Sequence, residues 1–301
     1  MDGGGIGRLI LLAASLGCLA ESPVVTPAWV KAQRNAIVAE VSWNSSKDYD
    51  AGHIPGAIHI NTDAFENGSP RWHLRPVSEL HAAIGKLGIR PDSTVVIYSA
   101  KTIAAARVWW VLSYAGVRDV RYLDGGLAAW KRAGYAVSTT PARRPPAQFF
   151  APTRDELLAT TDYVKTAKDA VLADVRSPRE FRGDVSGYSY LDAKGRIPGA
   201  VAVNDADDSA RLYQNADGTL RDLASIRARW RAAGILDGRE IVFYCGGGWR
   251  SSLAFLYARA MGLANVRNYS DGWSAWSTLY DQPDGKTWRQ RPSGNPIARG
   301  R

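Results

Sequence analysis

Short apolar runs rich in Val, Ile and aromatic residues alternate along this chain with longer stretches in which apolar residues return at helical spacing. The first pattern predicts buried strands and the second predicts helices packed on one face. In the amino-terminal half it places strands at 37–43, 57–61, 94–98 and 120–123, with helices at 77–87, 104–114 and 127–133. In the carboxy-terminal half it places strands at 171–175, 200–203, 241–244 and 266–269. Helices fall at 223–233, beyond 250 and after 273. Strands that alternate with helices predict an α/β fold, a parallel sheet flanked by helices.

The order of elements occurs twice, and two motifs fix the correspondence. Gly52-His53-Ile54-Pro55-Gly56-Ala57 recurs as Gly195-Arg196-Ile197-Pro198-Gly199-Ala200, and Asp124-Gly125-Gly126-Leu127 recurs as Ser270-Asp271-Gly272-Trp273. The chain is therefore an internal duplication. Its 301 residues divide into a leader (1–20), a first domain (23–140), a proline-rich linker (141–148), a second domain (149–282) and a polar tail (283–301).

The copies differ where chemistry would sit. In the second, the apolar run ending at Tyr244 is followed by Cys245-Gly246-Gly247-Gly248-Trp249-Arg250-Ser251, and then a helical pattern begins. Three glycines let the backbone curl so that successive N–H groups face one point. The helix that follows adds unpaired amides and the positive end of its dipole, and Arg250 adds a full charge. Such surroundings stabilise a thiolate, which makes Cys245 a candidate nucleophile. The plain alternative is a buried structural cysteine beside a glycine-rich turn. In the first copy Ser99 stands at the Cys245 position, Ala100, Lys101 and Thr102 replace the glycines, and Ala104 replaces Arg250. The second copy is then the active one, and the first has a structural or interface role.

Composition narrows the function further. A net charge of +9 is spread over scattered Lys and Arg, with no basic run of the kind that tracks nucleic acid. It suits small anions instead. Arg8 followed by the apolar residues 9–20 resembles a signal peptide, too short to span a bilayer, so the expectation is an exported, periplasmic protein. Membrane attachment arises only if Cys18 is lipidated. With the leader gone, Cys245 is the sole thiol, which excludes an internal disulfide and a multi-cysteine metal site. His53, His59, His73 and His81 all lie in the first copy, so no histidine base is implied for Cys245.

The Cys245–Ser251 loop resembles the active-site loop of the rhodanese (thiosulfate sulfurtransferase) family. Ala173–Phe181 resembles that family's first strand and turn, and Gly195–Ala200 its Gly-His-Ile-Pro-Gly-Ala segment. The resemblance implies two tandem rhodanese-like domains, an inactive one followed by a catalytic one. It implies Cys245 as the residue that carries sulfur as a persulfide, with Gly246, Gly247, Gly248, Trp249, Arg250 and Ser251 as the donor-binding loop. Arg176, after the strand ending at Val175, either faces the same cleft or pairs with Asp174 or Glu180. Glu180 departs from the second arginine that some members carry. Related phosphatases have five residues between Cys and Arg, and here there are four, which favours sulfur over phosphate.

The expected partners are a small anionic sulfur donor and a thiol or cyanide-like acceptor, with no cofactor, no metal and a monomeric protein. A persulfide carrier with slow turnover and a phosphatase or arsenate-reductase-like enzyme are the alternatives.

Overall fold

The computed structural model describes residues 22–204 and 211–300; the leader and Cys18 lie outside them. The first domain runs β1 (Val24–Val25), α1 (Pro27–Ala32), β2 (Ile37–Ser42), α2 (Lys47–Ala51), β3 (Ile58–Asn61), α3 (Val77–Lys86), β4 (Thr94–Tyr98), α4 (Thr102–Tyr114), β5 (Asp119–Leu123) and α5 (Gly126–Arg132). The second runs β6 (Leu158–Ala159), α6 (Thr161–Thr166), β7 (Val171–Asp174), α7 (Pro178–Arg182), β8 (Val201–Ala202), α8 (Leu223–Ala232), β9 (Ile241–Tyr244), α9 (Trp249–Ala260), β10 (Val266–Tyr269) and α10 (Gly272–Ser277).

Each domain holds a five-stranded parallel sheet, ordered β1-β5-β4-β2-β3 in the first and β6-β10-β9-β7-β8 in the second. The identical order confirms the duplication read from the motifs. Strands β4 and β9 sit in the middle of their sheets, and β9 is buried along its whole length. Covered on both faces, they read as continuous apolar runs rather than as alternating ones. Loops that follow parallel strands gather at the carboxyl edge of the sheet, and this places Cys245 directly after β9 on that edge.

Helices α1, α2, α6 and α7 are five or six residues long, too short to show a helical period. Three of them carry local start signals. The hydroxyls of Thr26 and Thr160 accept from the amides of Trp29 and Tyr163. Ser177 and Glu180 form a reciprocal capping box on α7.

Two segments between and beyond the sheets are anchored. In the proline-rich linker the Ala147 amide donates to the Gly85 carbonyl at 2.9 Å, and Ala142 bridges to Ile58 along the edge of β3. A Cβ on Gly85 would lie 2.5 Å from the Ala147 carbonyl oxygen, so this contact needs the glycine. The polar tail is also folded. Thr278–Asp281 (β11) pairs antiparallel with Arg289–Pro292 (β12), and Ala298 exchanges both backbone hydrogen bonds with Arg196.

The two domains meet through α4 and α9. Twelve of the thirteen residues of α4 are buried, including Arg107 at 1% exposure. The Arg107 guanidinium donates to Glu66 Oε1 at 2.7 Å and to Ser270 Oγ at 2.9 Å, joining its own domain to the second. The amides of Leu74 and Leu220, at matching places in the two copies, each donate to a carboxylate of the opposite domain, Asp271 at 3.1 Å and Asp124 at 2.7 Å. The interface repeats the duplication as an approximate two-fold.

One buried acid on β2 makes stability depend on pH. Glu40 is 2% exposed, and its Oε2 has no hydrogen-bond partner among the described residues. Burial, and then the charges of Asp48 and Asp50, push its pKa from the ordinary 4.5 up to about 7. The folded state therefore holds a proton that the unfolded chain has released, so this contribution is present below pH 4.5 and is lost as pH rises to about 7. Burial lowers the pKa of neighbouring His59, which gives the opposite slope. The diagnostic is therefore the difference between proteins. Glu40→Gln is expected to stabilise the protein at pH 8 relative to pH 5, measured by thermal midpoints. An equal change at both pH values would contradict this assignment.

Candidate active site

Cys245 lies at the floor of a cleft between the domains, with only 2% of its surface exposed. The cleft has a volume of about 480 Å³. Its second-domain wall includes Tyr188, Tyr190, Cys245, Gly247, Trp249 and Arg250, and its first-domain wall includes Trp43, Glu66, Trp72, Lys101 and Ile103. Among the described residues Cys245 is the sole cysteine, and its thiol is free.

The loop is held from behind by its carbonyls. Those of Cys245 and Gly246 accept from the amides of Trp273 and Ser274, at the start of α10, at 2.8 and 2.9 Å. The Gly248 carbonyl accepts from the Ser252 hydroxyl at 2.6 Å, and the Ser252 hydroxyl is in turn fixed by Asn268. In a trans peptide the C=O and the next N–H point opposite ways. With these carbonyls turned into the protein, the amides of Gly246, Gly247 and Trp249 face away from it, and they make no hydrogen bond among the described residues. Gly248 adopts φ of +87°, and a Cβ there would collide with the Ser270 carbonyl and the Arg107 guanidinium. Ser251 is fully buried and places its Oγ 3.6 Å from Cys245 Sγ. The equivalent turn in the first domain is closed on itself, because Ser99 Oγ accepts from the Lys101 amide at 2.9 Å.

Arg250 donates through both terminal nitrogens to Glu180, at 2.9 and 2.8 Å, and also to the Tyr188 hydroxyl. Burial opposes the charge on Glu180, but the Arg250 hydrogen bonds prevail and hold its carboxyl below the usual carboxylate range. Burial keeps the Tyr188 phenol protonated, well above its ordinary pKa. Arg250 thus reaches the cleft wall as half of an ion pair. Trp249 donates from Nε1 to both carboxylate oxygens of Glu66 in the first domain, at 2.9 and 3.1 Å, and so it both lines the cleft and locks the domains together.

Arg176 does not enter the cleft. It is 1% exposed, donates to both Asp174 oxygens at 3.0 and 2.7 Å and to the Gly195 carbonyl at 2.8 Å, and lies against the rings of Tyr244 and Trp273. Of the two roles open to it in the sequence, the structure places it in the pair with Asp174. It braces β7 and β9 beneath the loop.

Tyr188, Tyr190, Trp43, Trp72, Glu66 and Lys101 were not legible as site residues. Lys101 is visible only as a replacement for glycine in the register of the two copies, and the others lie in loops without a motif. Tyr188 has a structural signature, since a Cβ on Gly246 would land inside its ring. Gly246→Ala is therefore expected to displace Tyr188 and to lower kcat/KM for a reaction at Cys245 roughly 10²-fold, with little change in thermal midpoint. A variant within about twofold of wild type would show that this close approach is dispensable.

The second of two repeated α/β sheets thus carries a buried thiol directly after its central strand, at the head of a glycine loop whose Gly246, Gly247 and Trp249 amides make no hydrogen bond among the described residues. The family model described as "Rhodanese-like domain" matches residues 26–133 and 156–279. The chain belongs to the rhodanese family, as a tandem-domain, rhodanese-type sulfurtransferase. It is 41% identical to Thiosulfate sulfurtransferase YnjE of Escherichia coli K12 over 80% of this chain, and it spans 57% of that protein's length. It is 34% identical to Sulfur carrier protein TtuD of Thermus thermophilus, covering 79% of this chain and 87% of that one. Among solved structures, a cysteine-persulfide form of EanB in a tetrahedral intermediate state with ergothioneine superposes with a TM-score of 0.80 at 32% identity, over 92% of this chain and 70% of that one.

Proposed function

We propose that this protein moves sulfane sulfur from thiosulfate or a persulfide donor to a thiophilic acceptor through a persulfide on Cys245. The Cys245 thiolate attacks the outer sulfur of thiosulfate. The donor's S–S bond breaks, and sulfite departs with the bonding pair. The acceptor then attacks the outer sulfur of the Cys245 persulfide, whose S–S bond breaks to restore the thiolate. The unbonded amides of Gly246, Gly247 and Trp249 stabilise the anionic outer sulfur between the two steps. Ser251 Oγ, 3.6 Å from Sγ, adds a further polar neighbour. Arg250, shared with Glu180, holds the loop's shape and contributes only part of its charge to a donor. The exposed Lys101 at the mouth supplies the other cation for an inorganic sulfonate.

The observation that carries this reading is the loop itself: four residues between Cys245 and Arg250, with the Gly246, Gly247 and Trp249 amides unbonded among the described residues, beginning at a buried thiol that is in no disulfide. The test is thiocyanate formation from thiosulfate and cyanide at varied concentrations of both. Double displacement predicts parallel double-reciprocal lines. Intersecting lines would contradict the covalent intermediate. The likeness to a sulfur carrier protein supports a second reading, in which Cys245 loads readily but unloads only to a particular partner. Stoichiometric loading with slow thiocyanate turnover would favour it.

A further inference from the structure

The cleft above Cys245 is larger than an inorganic donor requires, and its walls are aromatic. About 480 Å³ is the size of sites that enclose an organic ligand, whereas thiosulfate and cyanide have only a few heavy atoms. Trp43, in the loop after β2, is 45% exposed. Trp72 and Trp249 stand nearly perpendicular to it, at 81° and 76°, with ring centroids 6.1 and 6.2 Å away. Trp72 sits at φ of +52°, a left-handed conformation that a bulky residue keeps only where its surroundings require it. Trp249 is pinned by Glu66, and Tyr188 and Tyr190 complete the lining.

The charges around this aromatic box are mostly cancelled. Glu66 is paired with Arg107, and Glu180 with Arg250. Lys101 stands apart, with its Nζ 5.7 Å from the Trp43 ring centroid and no acidic partner among the described residues. A cationic ligand would meet that ammonium. A flat anion would find both a ring to stack on and a charge to balance its own.

We propose that the sulfur acceptor is a flat aromatic thiol, bound as its thiolate against Trp43, with its sulfur directed to Cys245 and its charge balanced by Lys101. This deepens the sulfurtransferase reading and rests on it. The aryl thiolate sulfur attacks the outer sulfur of the Cys245 persulfide, and a new S–S bond forms. The old S–S bond breaks, and its electron pair leaves on Cys245 as the thiolate. The product is an aryl persulfide anion, and the step needs no external oxidant or reductant.

The test uses the full chain. Protein is loaded with thiosulfate, freed of donor and mixed with thiophenol or with mercaptoethanol, and persulfide loss is followed by intact mass. Reaction of each thiol with a small alkyl persulfide in solution gives the intrinsic preference to divide out. The corrected preference for thiophenol is expected to be about tenfold or more, and Trp43→Ala is expected to remove most of it. A corrected preference near unity, or one unchanged in a folded Trp43→Ala protein, would overturn the proposal and leave sulfur transfer standing. Protein that never gains the mass of a sulfur atom before the thiol is added would overturn both, and that failure is visible one step earlier.

Discussion

Cys245→Ala is expected to reduce thiocyanate formation to the uncatalysed background, a loss of more than about 10³-fold, while the protein stays folded. The loss is total in kind because nothing else in the described chain can carry the sulfur. Ser99 occupies the matching place after β4, but its hydroxyl is already an acceptor for the Lys101 amide, and the first copy has Ala104 where the second has Arg250. A hydroxyl without a base is a poor nucleophile. The fold should tolerate the change, since alanine keeps Cβ, and the backbone of residue 245 is held by the Trp273 amide whatever its side chain. Cys245→Ser is expected to be equally inactive, which would separate the need for sulfur from the need for a polar atom. Residual activity above about one per cent in either variant would require a second nucleophile.

Arg176→Ala is expected to act through stability instead. Both side chains of the Arg176–Asp174 pair are fully buried. Removing the arginine leaves the Asp174 carboxylate with the Tyr244 hydroxyl, at 2.6 Å, and the Arg176 backbone amide, at 2.9 Å, but without its countercharge. Stranding one partner of a buried pair costs about 3–5 kcal/mol. For a protein of this size that corresponds to a fall in thermal midpoint of roughly 5–8 °C. Folded Arg176→Ala protein at low temperature is expected to keep a KM for thiosulfate close to that of wild type. Replacing both residues with apolar ones of similar volume should recover part of the loss, since such a replacement does not strand a charge. A normal thermal midpoint with a raised KM would instead place Arg176 in contact with the donor.

Sequence carried the architecture well because the fold is built from patterns with a period. The apolar runs that became β2, β4, β7 and β9 and the helical stretches that became α3, α4, α8 and α9 are each long enough to show it. The repeated Gly-x-Ile-Pro-Gly-Ala segments gave the register, and the identical sheet orders follow from it. The five- and six-residue helices lacked length, and their signals were caps such as Ser177 with Glu180. The proline-rich segment was legible as a linker, but composition says nothing of Gly85 and Gly88 opposite, which leave room for it to lie on the first domain.

The site was legible only where it is contiguous. Cys245 to Ser251 lie on one loop, so their chemistry could be read in a row. The opposite wall comes from the first domain, and its distance in sequence hides it. Trp43 and Cys245 are neighbours in the cleft because α4 packs on α9, and no local pattern announces that. Glu180 shows the same limit. It was readable as a departure from an expected arginine, but its bidentate hold on Arg250 is a tertiary fact that changes what Arg250 offers a ligand.

Whether sulfur travels on Cys245 is read most directly from the intact mass of the protein after treatment with thiosulfate and removal of excess donor. The expected result is a gain of one sulfur atom, mapped to the Cys245 peptide, absent from Cys245→Ala and lost on addition of cyanide. A wild-type mass that never changes, or a gain that persists in Cys245→Ala, would contradict it.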